Sequence, residues 1–269
     1  MTSKLQHAIA LFSVTASLKQ MFERITFNLD FTYYCEKLRL LDHKPFISFV
    51  IPTKNEASYL PGLLTSINYI AQLCNIPVEI IVVDYMSADG TPDIAKKMGA
   101  RVIEVDKPGV GYASYVGVLS SRGDIIIRTD ADVVMTPSAL YEILKVFMND
   151  PGKLVGTVGH IYYPFELATN LMAYLYDRYI RRPFNTTGYF IAFKKEVIKK
   201  VNFSPHLKAN DDWDFGFRAL KLLGLNKLYY NYHVAVFVSS RLVKKKSYMK
   251  YLLENLGIIK NVPKPYTQL

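Results

Sequence analysis

The chain has 269 residues, 50% of them hydrophobic and 21% charged, with a formal net charge of +10. That is the balance of an ordinary globular protein, long enough for one large domain or two small ones around a substantial core, and the positive excess favours an acidic partner: nucleotide phosphate, lipid phosphate, an anionic membrane surface or nucleic acid. No stretch reaches the roughly 18 uncharged apolar residues of a membrane-spanning helix, and Cys35 and Cys74 offer neither metal-ligand spacing nor a disulfide framework.

Residues 1 to 44 read as a helical extension. Leu5, Ala8, Ile9, Phe12 and Ala16 recur at helical spacing, and a second short helix is expected over about 32 to 41. The stripe is expected to pack against the body of the protein; docking on a membrane surface or a partner is the alternative. Ala8 to Leu18 is short, carries Ser13, Thr15 and Ser17 and has no clear cleavage site, so it does not read as a signal peptide.

Phe46 to Ile51 is expected as the first buried strand, stopped by Pro52, with the polar turn Thr53-Lys54-Asn55-Glu56 and a helix from about 58 to 73 after it. Glu79 to Asp84 is the second strand, and Thr91-Pro92 opens a helix that Gly99 ends. Arg101 to Val105 is the third strand. Ile125 to Thr129, a β-branched run, is the central strand, and it empties into Asp130-Ala131-Asp132. Thr136-Pro137 then reads as N-cap and first turn of the next helix.

Strands alternating with helices through short connections imply right-handed βαβ units and a mainly parallel sheet. Thr53, Asp84, Asp130 and Asp132 then all follow carboxyl ends of strands and share the edge where open α/β sheets bind ligands. Two hard carboxylates so close together suit Mn2+ or Mg2+ with substrate phosphate completing the shell. A dinucleotide-binding site is disfavoured, because Gly109, Gly111 and Gly117 have the wrong spacing and follow the third strand rather than the first.

Four segments carry a family likeness: Val50 to Glu56, Ile81 to Thr91, Gly123 to Asp132, and Asn210-Asp211-Asp212-Trp213-Asp214-Phe215-Gly216-Phe217-Arg218. Taken in order over about residues 46 to 242, they resemble the motifs of the family-2 nucleotide-sugar glycosyltransferases of GT-A fold. The resemblance implies a Rossmann-like α/β domain over 45–242, its mixed, mainly parallel sheet flanked by helices, between the extension 1–44 and a basic tail 243–269. It implies an inverting, metal-dependent transfer from a UDP- or GDP-linked sugar to a glycan hydroxyl or a lipid phosphate, in a cytoplasmic chain or one peripheral to a membrane, with no nucleic-acid partner.

By that resemblance Pro52, Thr53, Glu56 and Asp84 line the nucleotide pocket, and Asp130 and Asp132 hold the cation, Asp130 also reaching ribose or sugar. Asp212 is the general base, with Asp211 and Asp214 as competitors and Asp214 tied to Arg218. His233 is a candidate metal ligand, and Arg241, in Ser239-Ser240-Arg241, faces the diphosphate. Phe184 to Phe193 resembles the acceptor-side strand. The loop before the central strand departs from the family pattern; Lys107, in Lys107-Pro108-Gly109-Val110-Gly111-Tyr112, is the candidate substitute contact.

Blander readings stand beside these. Thr53 and Glu56 would also serve as helix caps, the acidic run at 211 to 214 as an N-terminal charge cluster, and His233 as a packing residue. Two other functions share some features. A nucleotidyltransferase would also pair aspartates with Mg2+ but want a glycine-rich basic loop after the first strand, and a non-catalytic binder would use Lys244, Lys245 and Lys246 against an anionic surface.

Overall fold

A computed structural model describes residues 2–241 and Val243, with side chains from residue 15 onward. The expected stripe at Leu5, Ala8, Ile9 and Phe12, and the lysines after 243, lie outside the described side chains. Among the described residues no helix is long and apolar enough to cross a membrane.

Among the described residues eight strands form one sheet in the order β3-β2-β1-β4-β7-β6-β8-β5. Its first half is parallel: β1 (Ile47–Thr53) lies between β2 (Val78–Tyr85) and β4 (Ile125–Arg128), and β2 carries β3 (Arg101–Val105) on its outer side. β1, β2 and β4 are near-continuous runs of buried, mostly Ile and Val residues because helices cover both faces, whereas the edge strand β3 is partly exposed. The second half is mixed. β7 (Ile191–Lys194) runs antiparallel to β4 and to β6 (Val155–Tyr163), β8 (Leu228–Ser239) is parallel to β6, and β5 (Val133–Val134) is a short antiparallel edge on β8.

Pro52 does not stop β1, which continues through Thr53 paired to Asp84. The Thr129 N–H reaches Val50 O, so alternate residues of β1 face β4; two residues on, β4 has turned away, and the N–H that proline lacks has no partner to lose.

The intervening helices are α3 (Leu60–Cys74), α4 (Thr91–Lys97), α5 (Val110–Leu119) and α6 (Pro137–Asn149). Thr136 caps α6 as its sequence implies, its hydroxyl accepting from the Ala139 N–H. Gly117 lets α5 lie directly on the sheet, since a Cβ there would run into Val50 and Val83. α7 (Leu167–Leu175) is followed by a π-helical turn, Tyr176–Ile180, and α8 (Asp211–Leu223) starts on the acidic cluster.

The N-terminal extension consists of α1 (Thr2–Leu29) and α2 (Phe31–Arg39), and from Met21 onward it is locked to the body. The register of β6 against β8 slips after Val158, so that Val158 pairs with Asn231 but Gly159 with Ala235. The fully buried Asn28 side chain repairs the break: its Nδ2 donates to His233 O at 2.9 Å, and its Oδ1 accepts from the Ala235 N–H at 2.8 Å and the Ser138 hydroxyl at 2.6 Å. A buried bulge needs such a partner because unpaired backbone groups are costly.

Candidate active site

Parallel pairing in register brings Thr53 beside Asp84 and Val50 beside Arg128, so the residues following β1, β2 and β4 gather at one edge. A cavity of about 330 Å³ opens there. Pro52 to Glu56 form one wall, Asp130 to Asp132 another, and Tyr85 and Arg241 complete it. Lys54 holds its ammonium 4.1 Å from the centre of the Tyr85 ring, making a cationic and aromatic lip.

The mouth is over-supplied with negative charge. Glu56, Asp130 and Asp132 share it with a single guanidinium, Arg241, which grips Glu56 by two bonds of 2.8 and 2.7 Å and brings its Nε to 2.8 Å from Asp132 Oδ2. Burial pushes Asp132 up to about 7, with Asp130 and Glu56 adding to the rise and Arg241 opposing it. Glu56 is raised by burial too, against the pull of Arg241. Among the described residues no group of three His, Cys, Asp or Glu forms a closed metal site. The donor set fits a Mn2+ or Mg2+ ion whose shell a ligand completes: two carboxylates separated by one residue, Asp130 and Asp132, with Glu56 on the same cavity.

Asp84 lies beneath this cavity rather than on its wall. It is 1% exposed, and its oxygens accept from the Thr53 hydroxyl at 2.9 Å, the Ser87 hydroxyl at 2.6 Å and the Ser87 N–H at 2.9 Å. Asp84 and Thr53 therefore fasten two loops together. Lys107 is also absent from the lining residues and stands 5.3 Å from the Tyr112 ring centre, while the following Gly109 and Val110 do line the cavity. His233 is not brought to the site at all. It lies at the bulge of β8, six residues before Ser239, whose N–H bonds Asp132 O, and it lines a different cavity.

Arg128, the last residue of β4, joins the two acidic groups. It is 1% exposed; Nη1 donates to Asp130 Oδ1 and to Gly188 O, each at 2.6 Å, Nε to the Ser114 hydroxyl at 3.3 Å, and Nη2 sits 3.5 Å from Asp211 Oδ2. Burial opposes its charge, but Asp130, Asp211 and Asp212 outweigh that and keep it protonated. Gly188 turns its N–H the other way, donating to Asp212 Oδ2 at 2.7 Å. The start of α8 supplies the second donor to Asp212, the Trp213 N–H at 2.9 Å.

The acidic run at α8 thus separates into different environments. Asp211 is buried on Ser114 at 2.8 Å, and Asp214 is spent on Arg218 at 2.6 Å and Ser204 at 2.5 Å. Asp212 keeps its Oδ1 and Oδ2 on backbone donors alone, with burial and then Asp211 pushing its pKa well above the ordinary carboxylate range and Arg128 opposing. A carboxyl poised in that way suits general-base work. Sequence reading passed over Arg128, Gly188 and Tyr85; a charged residue inside the Ile125-Ile126-Ile127 run was the one available signal for the first.

The parallel half-sheet, the acidic cavity at its carboxyl edge and the mixed second half define a glycosyltransferase architecture of GT-A type. The sequence profile of glycosyl transferase family 2 matches residues 48–203, more than half of the chain, and the protein belongs to that family. The chain is 33% identical over 131 residues to 4,4'-diaponeurosporenoate glycosyltransferase of Staphylococcus haemolyticus, a match covering 46% of this chain and 34% of that protein. It is 37% identical over 86 residues to a dolichyl-phosphate hexose transferase of Haloferax volcanii, covering 32% of this chain and 36% of that one. The matches thus span about a third of the length of these curated relatives. Among solved structures, glucosyl-3-phosphoglycerate synthase from Mycobacterium tuberculosis in complex with Mn2+, UDP-glucose and phosphoglyceric acid superposes with a TM-score of 0.58 at 22% identity, over 84% of this chain and 85% of that one. That likeness concerns the fold.

Proposed function

We propose that the protein transfers a hexose from a nucleoside-diphosphate sugar to an acceptor oxygen with inversion at the anomeric carbon. One observation carries the reading: Gly188 accepts through its carbonyl from Arg128, which also holds Asp130 on the cavity wall, and donates through its N–H to Asp212, so the candidate base is tied to the cavity by a short chain of bonds. In this reading Pro52 to Glu56 and the Lys54–Tyr85 lip receive the nucleoside, and Arg241 offers its guanidinium to the diphosphate. Asp130 and Asp132 would hold Mn2+ or Mg2+, which when bound supplies Lewis-acid stabilisation of the leaving diphosphate.

Asp212 takes the proton of the acceptor hydroxyl, or orients an acceptor phosphate, as that oxygen bonds to the anomeric carbon and the bond to the diphosphate breaks on the opposite face. A lipid-linked acceptor is supported by the exposed pair Phe22 and Phe165, ring centres 6.2 Å apart. Phe165 stands two residues after Tyr163, whose hydroxyl donates to Asp132 O, so this apolar surface adjoins the acidic mouth.

Donor hydrolysis and transfer with a panel of UDP- and GDP-sugars, with and without Mn2+, test the proposal. Asp132→Ala should abolish the metal-dependent activity. Release of pyrophosphate from a nucleoside triphosphate and a sugar phosphate, with no sugar transfer, would overturn it in favour of a nucleotidyltransferase.

A further inference from the structure

A second cavity, also about 330 Å³, lies away from the acidic mouth between α1, the α7 turn and β8. Arg24, Phe27, Tyr174, Arg178, Tyr232 and His233 line it. Its charge is unbalanced. Behind the wall Asp177, fully buried, is shared by two buried guanidiniums, Arg24 at 2.8 Å and Arg181 at 3.5 Å, and Arg178 adds a third positive charge at the cavity itself. Glu23 also lines the cavity, but it is mostly exposed and stands 3.9 Å from Lys19.

One polar atom is left over. Arg24 is 4% exposed, and its Nε has no hydrogen-bond partner among the described residues although Nη2 is engaged by Asp177 and by His160 O. A buried guanidinium N–H without an acceptor is costly, so Arg24 keeps unspent hydrogen-bonding capacity beside the cavity it lines. The rest of the lining is flat: the Arg178 guanidinium lies 5.9 Å from the Tyr174 ring centre and 5.8 Å from that of Tyr232, which in turn is 4.0 Å from the His233 ring. Burial, then Arg24 and Arg178, lower the His233 pKa and keep that ring a neutral surface.

We propose that this cavity binds a phosphate ester of a ring compound, with the anion against Arg24 and Arg178 and the ring on Tyr174, Tyr232 and His233. Two guanidiniums suit a multi-oxygen anion, and the tyrosine faces suit a planar or flat-faced body. The site is separate from the acidic mouth and does not depend on the transferase reading.

Phenyl phosphate is the probe, titrated calorimetrically into the full chain. It should bind with a dissociation constant below about 1 mM, and saturating UDP with Mn2+ should leave that value unchanged. Inorganic phosphate alone and phenol alone should each bind at least about tenfold more weakly. Arg178→Gln, at a partly exposed position that tolerates the change, should weaken phenyl phosphate about tenfold or more by removing a charge-assisted contact. Tyr232→Leu should weaken phenyl phosphate but not inorganic phosphate. Absence of binding at millimolar concentrations, displacement by UDP, or equal affinity in folded Arg178→Gln protein would each overturn the proposal.

Discussion

Gly188 N–H donates to Asp212 Oδ2 at 2.7 Å while its own carbonyl accepts from Arg128 at 2.6 Å, so one glycine residue stands between the carboxylate proposed as base and the arginine that holds Asp130. A side chain has no room there: a Cβ would lie 2.6 Å from Asp130 Oδ2 and closer still to the Arg128 guanidinium.

Gly188→Ala should therefore displace Asp130 and Asp212 together. Transfer should fall by about 100-fold or more, the cost of a misplacement near 1 Å, while the protein remains folded. Steady-state kinetics beside a thermal melt would check this; near-normal turnover would show that the shared glycine is not needed.

Asp212 must be ionised to accept a proton, and its raised pKa places the acid limb of kcat/KM at higher pH than a free aspartate, near 3.9, would give. Activity should rise with pH through that limb. The stability effect has the opposite sign: a carboxyl whose folded pKa lies above its unfolded one stabilises below the unfolded pKa and loses that contribution as pH rises through the folded pKa. Asp212→Asn should thus bind nucleotide, stop transfer by a factor of about 10² to 10⁴, and melt higher than the parent at alkaline pH. A variant that turned over normally would remove Asp212 from the mechanism.

Arg241→Gln should shift two affinities in opposite directions. Without the guanidinium at 2.8 Å from Asp132, Mn2+ should bind the acidic mouth about tenfold more tightly in the absence of nucleotide, and UDP without metal about tenfold more weakly, each near the worth of one charge-assisted contact. Mn2+ titration followed by electron paramagnetic resonance, and UDP calorimetry in chelator, separate the two.

Asp177→Asn should destabilise the chain by about 3–5 kcal/mol, the usual cost of breaking a buried ion pair. Asp177 is fully buried, yet His160, Arg24 and Arg181 outweigh burial and hold its carboxyl far below the ordinary range. A lowered folded pKa gives stability that is present above the unfolded value and lost as pH falls below it. The parent's stability should drop from about pH 5 downward, and the variant's should drop less. Denaturant melts between pH 7 and pH 3 would show it.

The parallel half of the fold was legible because each strand is a β-branched run ended by a polar residue: Ile47 to Thr53, Val78 to Tyr85 and Ile125 to Arg128 lie within two residues of where patterning puts them. The expectation that Asp130 and Asp212 belong to one site followed from the family resemblance. What joins them did not, because Arg128 finds its partners on Ser114, Gly188 and Asp211, three segments far apart in the chain, and no local pattern encodes such a set. Asp84 was less legible: a carboxylate at a strand end looks the same in sequence whatever it bonds, and here its oxygens accept from Thr53 and Ser87. His233 was misplaced because the slip of β8 against Val158 and Gly159, which sets its height along the strand, leaves no mark in composition or spacing.

Arg241 closes on Glu56 from 185 positions away, and every other wall of that cavity comes from the first 132 residues. A ribosome therefore finishes the sheet's parallel half long before it delivers the cation that neutralises Glu56 and Asp132. Until then Asp130 already has Arg128, but Glu56 and Asp132 stand without the guanidinium that pairs with both of them.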